Sequence, residues 1–209
     1  MRLLLLSLGT GAIPAFLDEC RSGASGPLRI GYLSDAAAPY EGLPFVAEER
    51  ARVEALGHEV LERRAREAEA DAFDEFLGTV DAVYVAGGNT FVLLEALRSG
   101  GAERALLDRV RAGLPYIGTS AGAAVTGPSI APLALMDDPA EAPALHGFEG
   151  LGLMERTVLP HADGRLPPYP PETIRRTIER YGRTHPLVPL RDDQALLVDD
   201  DGPRIVPSV

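Results

Sequence analysis

The sequence predicts an α/β fold in which a mostly parallel, open sheet carries helices on both faces, giving three layers. Short apolar runs rich in β-forming residues alternate with longer segments of helical period along the whole chain, the pattern typical of such a sheet. The length of 209 residues suits one domain covering 1–209, since the chain contains no internal repeat and no long linker. An apolar fraction of 45% and a charged fraction of 24% are typical of a globular protein.

Each predicted strand is a short apolar run, several of them bounded by Gly, Pro or Asp. The strands are expected at Leu3–Ser7, Arg29–Leu33, Val60–Arg63, Ala82–Ala86, Tyr116–Ile117, Thr157–Leu159, Ala195–Val198 and Arg204–Val206. The turn residues Asp200-Asp201-Gly202 predict that the last two strands form a hairpin.

The predicted helices lie between these runs. They are expected at Ile13–Cys20, Phe45–Leu56, Ala72–Leu77, Thr90–Arg98, Glu103–Ala112 and Glu172–Arg183. Glycines such as Gly57, Gly100 and Gly113 stand where helix C-caps are expected. The two least regular stretches are 130–150 and 162–171; irregular loops of this length in a compact domain are often functional.

Charge and composition exclude several function classes. The net charge is −11, with 31 acidic against 20 basic residues, so nucleic acid and anionic membranes are poor partners. No lysine is present, and all 20 basic residues are arginines. Schiff-base chemistry, pyridoxal phosphate attachment, a Ser–Lys dyad and a P-loop lysine are therefore excluded.

Cys20 is the single cysteine, so no intrachain disulfide and no thiolate metal cluster can form. This composition predicts a reducing, cytoplasmic location. The apolar run Leu3–Leu6 is too short for the core of a signal peptide, and Gly9 and Gly11 follow it closely, so a buried strand is the better interpretation. No stretch approaches the roughly 20 apolar residues that a membrane span requires.

The strongest chemical signal is Gly-x-Ser-x-Gly, from Gly118 to Gly122, directly after a predicted strand and before a run of small residues. A strand–turn–helix context of this kind is typical of a nucleophile elbow with Ser120 as nucleophile. The helix N-terminus would place the Ala121 amide beside the hydroxyl as an oxyanion donor. The alternative is a tight turn in which Ser120 only caps the helix.

A second signal, Gly87-Gly88-Asn89-Thr90, follows the strand Ala82–Ala86. The carboxyl ends of parallel strands share one crevice, so Gly88 would supply the second oxyanion donor, with Gly87 and Asn89 beside the substrate. The alternative is a glycine turn whose Asn89 caps the following helix.

A serine nucleophile requires a base, and the chain contains four histidines, at positions 58, 146, 161 and 185. His161 follows the apolar run that ends at Pro160, so it is expected to face the crevice of Ser120. The carboxylate that orients its imidazole remains open between Asp137 or Asp138 and the rival pair Asp192 or Asp193. No histidine pair has ligand spacing, so a metal site is not expected.

These motifs together resemble the peptidase E family, the aspartyl dipeptidases of the clan-PC serine peptidases, which are related to cyanophycinases. The resemblance depends on Gly87-Gly88-Asn89-Thr90, Gly118-Thr119-Ser120-Ala121-Gly122-Ala123, Asp137-Asp138-Pro139 and Pro160-His161. It implies a flavodoxin-like fold similar to class I glutamine amidotransferases, no cofactor and often a homodimer. It also implies a Ser120–His161–Asp137 triad, with Asp138 and Asp192 as reserve acids.

One departure concerns specificity. Aspartyl-specific members are similar to one another in carrying Glu-Thr-Arg, where the arginine pairs with the substrate's N-terminal Asp; here Ile174 stands at that position, in Glu172-Thr173-Ile174-Arg175. The acid-reading cation is therefore missing or supplied by Arg165, Arg175 or Arg176.

The predicted function is a serine peptidase that hydrolyses short peptides at the N-terminal residue, with Asp-X as one substrate class. The alternatives are an amidase or isopeptidase on non-standard amides, a non-catalytic small-molecule sensor on the same fold, and a nucleotide-binding module. The last is disfavoured because Gly9 and Gly11 do not complete Gly-x-Gly-x-x-Gly.

Overall fold

A computed structural model describes residues 1–21 and 26–209. Its main sheet has seven strands in the order β3-β2-β4-β5-β1-β8-β9. The bounds of these strands are β1 Leu3–Leu6, β2 Arg29–Leu33, β3 Glu59–Arg63, β4 Ala82–Val85, β5 Tyr116–Thr119, β8 Gln194–Asp199 and β9 Gly202–Pro207. Strands β1 to β5 are parallel, whereas β8 is antiparallel to β1 and forms a hairpin with β9.

Helices cover both faces of this sheet. Their bounds are α1 Ile13–Cys20, α2 Pro44–Glu54, α3 Ala70–Leu77, α4 Thr90–Ser99, α5 Ala102–Arg111, α6 Ala121–Ala124 and α7 Pro171–Tyr181. Within the described ranges, no helix is both long enough and apolar enough to cross a bilayer.

The strand side chains alternate between two separate cores. Leu3 and Leu5 of β1 pack with α3 to α6 on one face, while Leu4 and Leu6 pack with α1 and α2 on the other. All four leucines are fully buried. Because both faces of β1 are covered, its sequence is a continuous apolar run and does not alternate with polar residues. The three-layer, flavodoxin-like fold class predicted from the sequence is confirmed.

One predicted strand lies outside the main sheet. β6 (Thr157–Leu159) pairs in parallel with β7 (Leu187–Pro189) to form a separate two-stranded sheet. β7 is not predicted from the sequence, because its three residues end in a proline and show no clear alternation of apolar and polar positions. The irregular stretch 130–150 contains two 3₁₀ segments, Ala131–Leu135 and Pro139–Glu141.

The topology collects several chain segments at one edge of the sheet. The residues after β1, β4 and β5 lie at the carboxyl edge of the parallel strands, where α/β proteins bind ligands. Because β8 is antiparallel to β1, the residues that precede β8 lie at this same edge. Ser7, Gly87, Ser120 and Asp192 are therefore brought together from distant parts of the chain.

Candidate active site

Ser120 occupies a strained turn between β5 and α6. Its φ of 50° and ψ of −105° lie in a region that non-glycine residues rarely adopt. The flanking glycines make the turn possible: a Cβ at Gly118 would lie 2.3 Å from the carbonyl oxygen of Gly122, and one at Gly122 would lie 2.1 Å from that of Val85. The sequence motif therefore forms the strained strand–turn–helix geometry that a nucleophile elbow requires.

His161 lies two residues beyond β6 and reaches the same crevice. Its Nε2 is 3.0 Å from the Ser120 hydroxyl oxygen. The imidazole is almost fully buried and stacks on the Tyr169 ring, with centroids 5.0 Å apart and planes 9° from parallel. His161 also has a positive φ of 57°, and its backbone N–H donates to the Ser7 hydroxyl at 2.7 Å. Three contacts thus fix the position of the base.

Asp192 is the carboxylate that contacts this histidine. Its Oδ1 lies 2.7 Å from His161 Nδ1 and also accepts a hydrogen bond from the Ser7 hydroxyl at 3.0 Å. An ionised carboxylate can only accept, so Nδ1 carries the imidazole proton and Nε2 is left to accept from Ser120. The Ser7 hydroxyl thus accepts from the backbone N–H of His161 and donates to the Asp192 carboxylate.

The charge state of Asp192 fits this role. Partial burial opposes ionisation, but the hydrogen bond and charge of His161 and the Ser7 hydroxyl outweigh it, so the pKa of Asp192 lies below its ordinary value. Asp192 is therefore ionised at neutral pH.

The contact predicted between Asp137 and His161 is not formed, which corrects the triad assignment. Asp137 Oδ2 accepts from the backbone N–H and the hydroxyl of Thr90, at 2.9 and 2.6 Å, at the start of α4. Its Oδ1 accepts from the Tyr169 hydroxyl at 3.3 Å. Asp137 is therefore one residue removed from the base, since Tyr169 stacks on His161.

The reserve acid Asp138 also lies away from the imidazole. Its side chain caps a 3₁₀ turn by accepting from the Ala140 N–H at 2.9 Å, and its backbone carbonyl accepts from the Asn89 side chain at 2.9 Å. The Asp-Asp-Pro segment therefore stabilises the loop that follows β4 through hydrogen bonds to Asn89 and Thr90.

The Gly87-Gly88-Asn89 turn lies beside Ser120, with a separate task for each residue. Gly88 has a φ of +137°, and a Cβ there would lie 2.1 Å from the carbonyl oxygen of Ala36, so only glycine fits. Asn89 is fully buried, and its side chain accepts from the first-turn amides of Phe91 and Val92. The Asn89 side chain thus caps the helix, as in the alternative interpretation of this turn.

The backbone amides of Gly88 and Ala121 stay available as oxyanion donors. Among the hydrogen bonds of the described residues, neither amide is a donor. The Gly87 amide, by contrast, donates to the Glu49 carboxylate at 3.0 and 3.2 Å.

A cavity of about 470 Å³ opens onto Ser120 and His161. Its wall is mostly apolar and includes Leu8, Tyr40, Leu43, Phe45, Met136, Leu166, Pro168 and Tyr169. Two charged residues of α2, Glu49 and Arg52, also line it. Four residues of the site are not predicted from the sequence: Ser7, Glu49, Arg52 and Tyr169. Of these, Ser7 alone has a recognisable sequence signal, as a hydroxyl directly after a buried strand.

The three arginines considered as acid readers do not line this cavity. Arg175 pairs with Glu172 and Glu179 on the exposed side of α7, Arg176 is exposed on the same helix, and Arg165 is exposed and lies 3.8 Å from Asp163. Ile174, at the family's arginine position, is buried in the core.

Comparisons with known proteins identify the family. Residues 4–206 match Peptidase family S51. The chain is 32% identical over 199 residues to the uncharacterized peptidase Lin0382 of Listeria innocua, covering 95% of this chain and 93% of that one. It is 34% identical over 173 residues to a peptidase E of Streptomyces coelicolor, covering 77% and 64% of the two chains.

A solved structure gives the same result. The crystal structure of a Listeria monocytogenes EGD-e protein, provisionally assigned to peptidase E, superposes with a TM-score of 0.86 at 28% identity, covering 99% of this chain and 98% of the other. With a family match over nearly the whole sequence and the same fold in a related structure, the chain belongs to peptidase family S51 and is a peptidase.

Proposed function

We propose that this peptidase is a serine peptidase that removes the N-terminal residue of short peptides through an acyl-enzyme, with Ser120, His161 and Asp192 as its triad. The observation that carries the proposal is the unbroken hydrogen-bond chain from Ser120 through His161 to Asp192, at 3.0 and 2.7 Å, on a strained elbow.

The chemistry follows from these positions. His161 Nε2 takes the hydroxyl proton as Ser120 Oγ attacks the carbonyl carbon of the first residue. The amides of Gly88 and Ala121 hold the oxyanion, a role worth about 3 kcal/mol per donor. His161 then gives the proton to the leaving amine as the C–N bond breaks. A water, deprotonated by the same imidazole, hydrolyses the ester and frees Ser120.

Several narrower expectations belong to the same proposal. The substrate is a short peptide, a homodimer is the assembly, and the location is cytoplasmic, consistent with the lone Cys20.

Of the residues described along the cavity wall, Arg52 is the one cation. It is therefore our candidate for reading an acidic first side chain, in place of the arginine that Ile174 replaces.

The test combines a covalent probe with a point variant. A fluorophosphonate should label Ser120, and the site should be confirmed by peptide mass spectrometry. Ser120→Ala should abolish labelling and lower dipeptide turnover by about 10⁴-fold or more, with an unchanged melting temperature. A Ser120→Ala protein that still hydrolyses dipeptides would disprove the assignment, and an unlabelled wild-type protein would favour a non-catalytic role for this serine.

A further inference from the structure

Glu49 is a buried carboxylate on the cavity wall that the triad does not use. It is 6% exposed, and its Oε1 accepts from the Tyr84 hydroxyl at 2.9 Å and from the Gly87 amide at 3.0 Å. Oε2 accepts from the same amide at 3.2 Å and has no other hydrogen-bond partner among residues 1–21 and 26–209. Since a carboxylate oxygen has two lone pairs, Oε2 can accept a further donor from the cavity side.

Within the part of the chain that the structure describes, this carboxylate has no contacting cation. Among the described residues, no arginine, histidine or chain terminus lies within 4.0 Å of it. Arg52, one turn further along α2, lines the same cavity without pairing with it. Buried carboxylates are normally paired, because removal from water destabilises an isolated charge. Burial accordingly raises the pKa of Glu49, against the opposing effect of the Gly87 and Tyr84 hydrogen bonds.

Glu49 and the nucleophile flank the same small space. A methyl group at Gly87 would lie 3.3 Å from Glu49 Oε2 and 3.4 Å from Ser120 Cβ. In a peptide, the α-nitrogen of the first residue lies about 2.5 Å from the carbonyl carbon that Ser120 would attack. A first residue whose carbonyl carbon is attacked by Ser120 could therefore place its α-nitrogen within reach of this carboxylate.

We infer that Glu49 binds the α-ammonium group of the substrate, and so restricts cleavage to the first peptide bond of chains with a free N-terminus. The inference rests on the proposed function. It assigns to Glu49 a positioning and specificity role: the ammonium is the cation that the buried carboxylate lacks, and its anchoring sets the first carbonyl over Ser120.

The experiment compares two substrates that differ only in this amine. Alanyl and propionyl derivatives of the same chromogenic amide have the same acyl length, but the propionyl compound lacks the α-nitrogen. Wild-type kcat/KM should be about 100-fold higher for the alanyl substrate, as expected for a buried charge-assisted hydrogen bond. Equal rates on both substrates would overturn the inference directly, without any variant.

Glu49→Gln tests the carboxylate itself. The amide oxygen can still accept from Gly87 and Tyr84, so the turn beside Ser120 should persist. We expect the alanyl rate to fall about 100-fold while the propionyl rate and fluorophosphonate labelling of Ser120 remain unchanged. Glu48→Gln, the same charge change at an exposed neighbour on α2, is the matched control and should alter neither rate.

The outcomes separate this inference from the proposed function. If Glu49→Gln lowers the two rates equally, the carboxylate supports the Gly87 turn and does not read the amine. If the wild-type protein hydrolyses neither substrate and Ser120 is not labelled, the serine peptidase proposal fails, and this inference fails with it.

Discussion

Two acidic segments approach the active site, and they differ in what they hold. The Asp137-Asp138 loop binds the start of α4 and the Asn89 side chain, so it fixes the turn that carries Gly88. The Asp192 turn binds the His161 imidazole and the Ser7 hydroxyl, so it fixes the base. One segment therefore supports the scaffold of the site, and the other belongs to the hydrogen-bond chain that ends at the Ser120 hydroxyl.

The difference shows that order along the chain does not decide which acid contacts the histidine. Asp137 lies between Ser120 and His161 in sequence, yet it is separated from the imidazole by Tyr169. Asp192 comes after both residues and reaches the imidazole because β8 runs antiparallel beside β1. The two carboxylates also differ in electrostatics: the pKa of Asp192 is lowered, whereas that of Asp137 is raised by burial.

The largest expected effect is on turnover. Asp192→Asn should lower kcat by about 10³- to 10⁴-fold, because an amide no longer holds the imidazole in the tautomer that accepts from Ser120. Steady-state kinetics on the best dipeptide measures this loss, and Asp137→Asn is the matched control. If the Asp137 variant loses as much turnover as the Asp192 variant, the distinct roles of the two carboxylates are contradicted.

The next effect is on stability, and here the substitution of Asp137 is expected to have the larger effect. Asp137→Ala removes the acceptor of the buried Thr90 N–H and should lower the free energy of unfolding by about 1–3 kcal/mol, with less than a tenfold loss of turnover. Urea denaturation followed by circular dichroism provides the measurement. If Asp137→Ala instead has the wild-type free energy of unfolding but a severe loss of turnover, Asp137 takes part in catalysis.

The smallest effect is a difference in pH dependence. The folded-state pKa of Asp192 is depressed, so its stabilisation is present above the ordinary value of about 3.9 and is lost as pH falls through the folded pKa. The folded-state pKa of Asp137 is raised, so its contribution to stability falls as pH rises from about 3.9 through the folded value.

Urea titrations between pH 2 and 7 should therefore show opposite trends for the two Asn variants. Relative to wild type, Asp192→Asn should be most destabilised near neutral pH and recover in acid. The loss of unfolding free energy caused by Asp137→Asn should be smallest near neutral pH and largest in acid. Parallel curves for the two variants would mean that the two carboxylates do not differ in their folded-state ionisation.

Local sequence signals predict most of the fold. β1 and α1 are recognisable because four leucines precede a glycine-rich break and a helical period. The elbow is equally local, since Gly118 and Gly122 are needed within two residues of Ser120. The β6–β7 sheet is less predictable, because Leu187–Pro189 becomes a strand only through its pairing with Thr157–Leu159.

The remaining site residues depend on long-range contacts that one sequence does not reveal. Ser7 and Asp192 meet through strand pairing across 185 positions, and nothing near either residue indicates the other. Glu49 reads as one charged residue in the run Glu48-Glu49-Arg50, although it is buried and its neighbours are not. Helix periodicity alone cannot distinguish a solvated carboxylate from one turned toward a cavity.

The Ser7 hydroxyl, which contacts both the backbone of His161 and the carboxylate of Asp192, has a consequence for the order of folding. Ser7 and Asp192 are 185 positions apart, and they meet only where β8 lies antiparallel beside β1. Pairing between distant segments carries a larger loop-closure cost than local structure and forms more slowly. Alignment of the imidazole is therefore expected to follow formation of the local turn at Ser120 during folding.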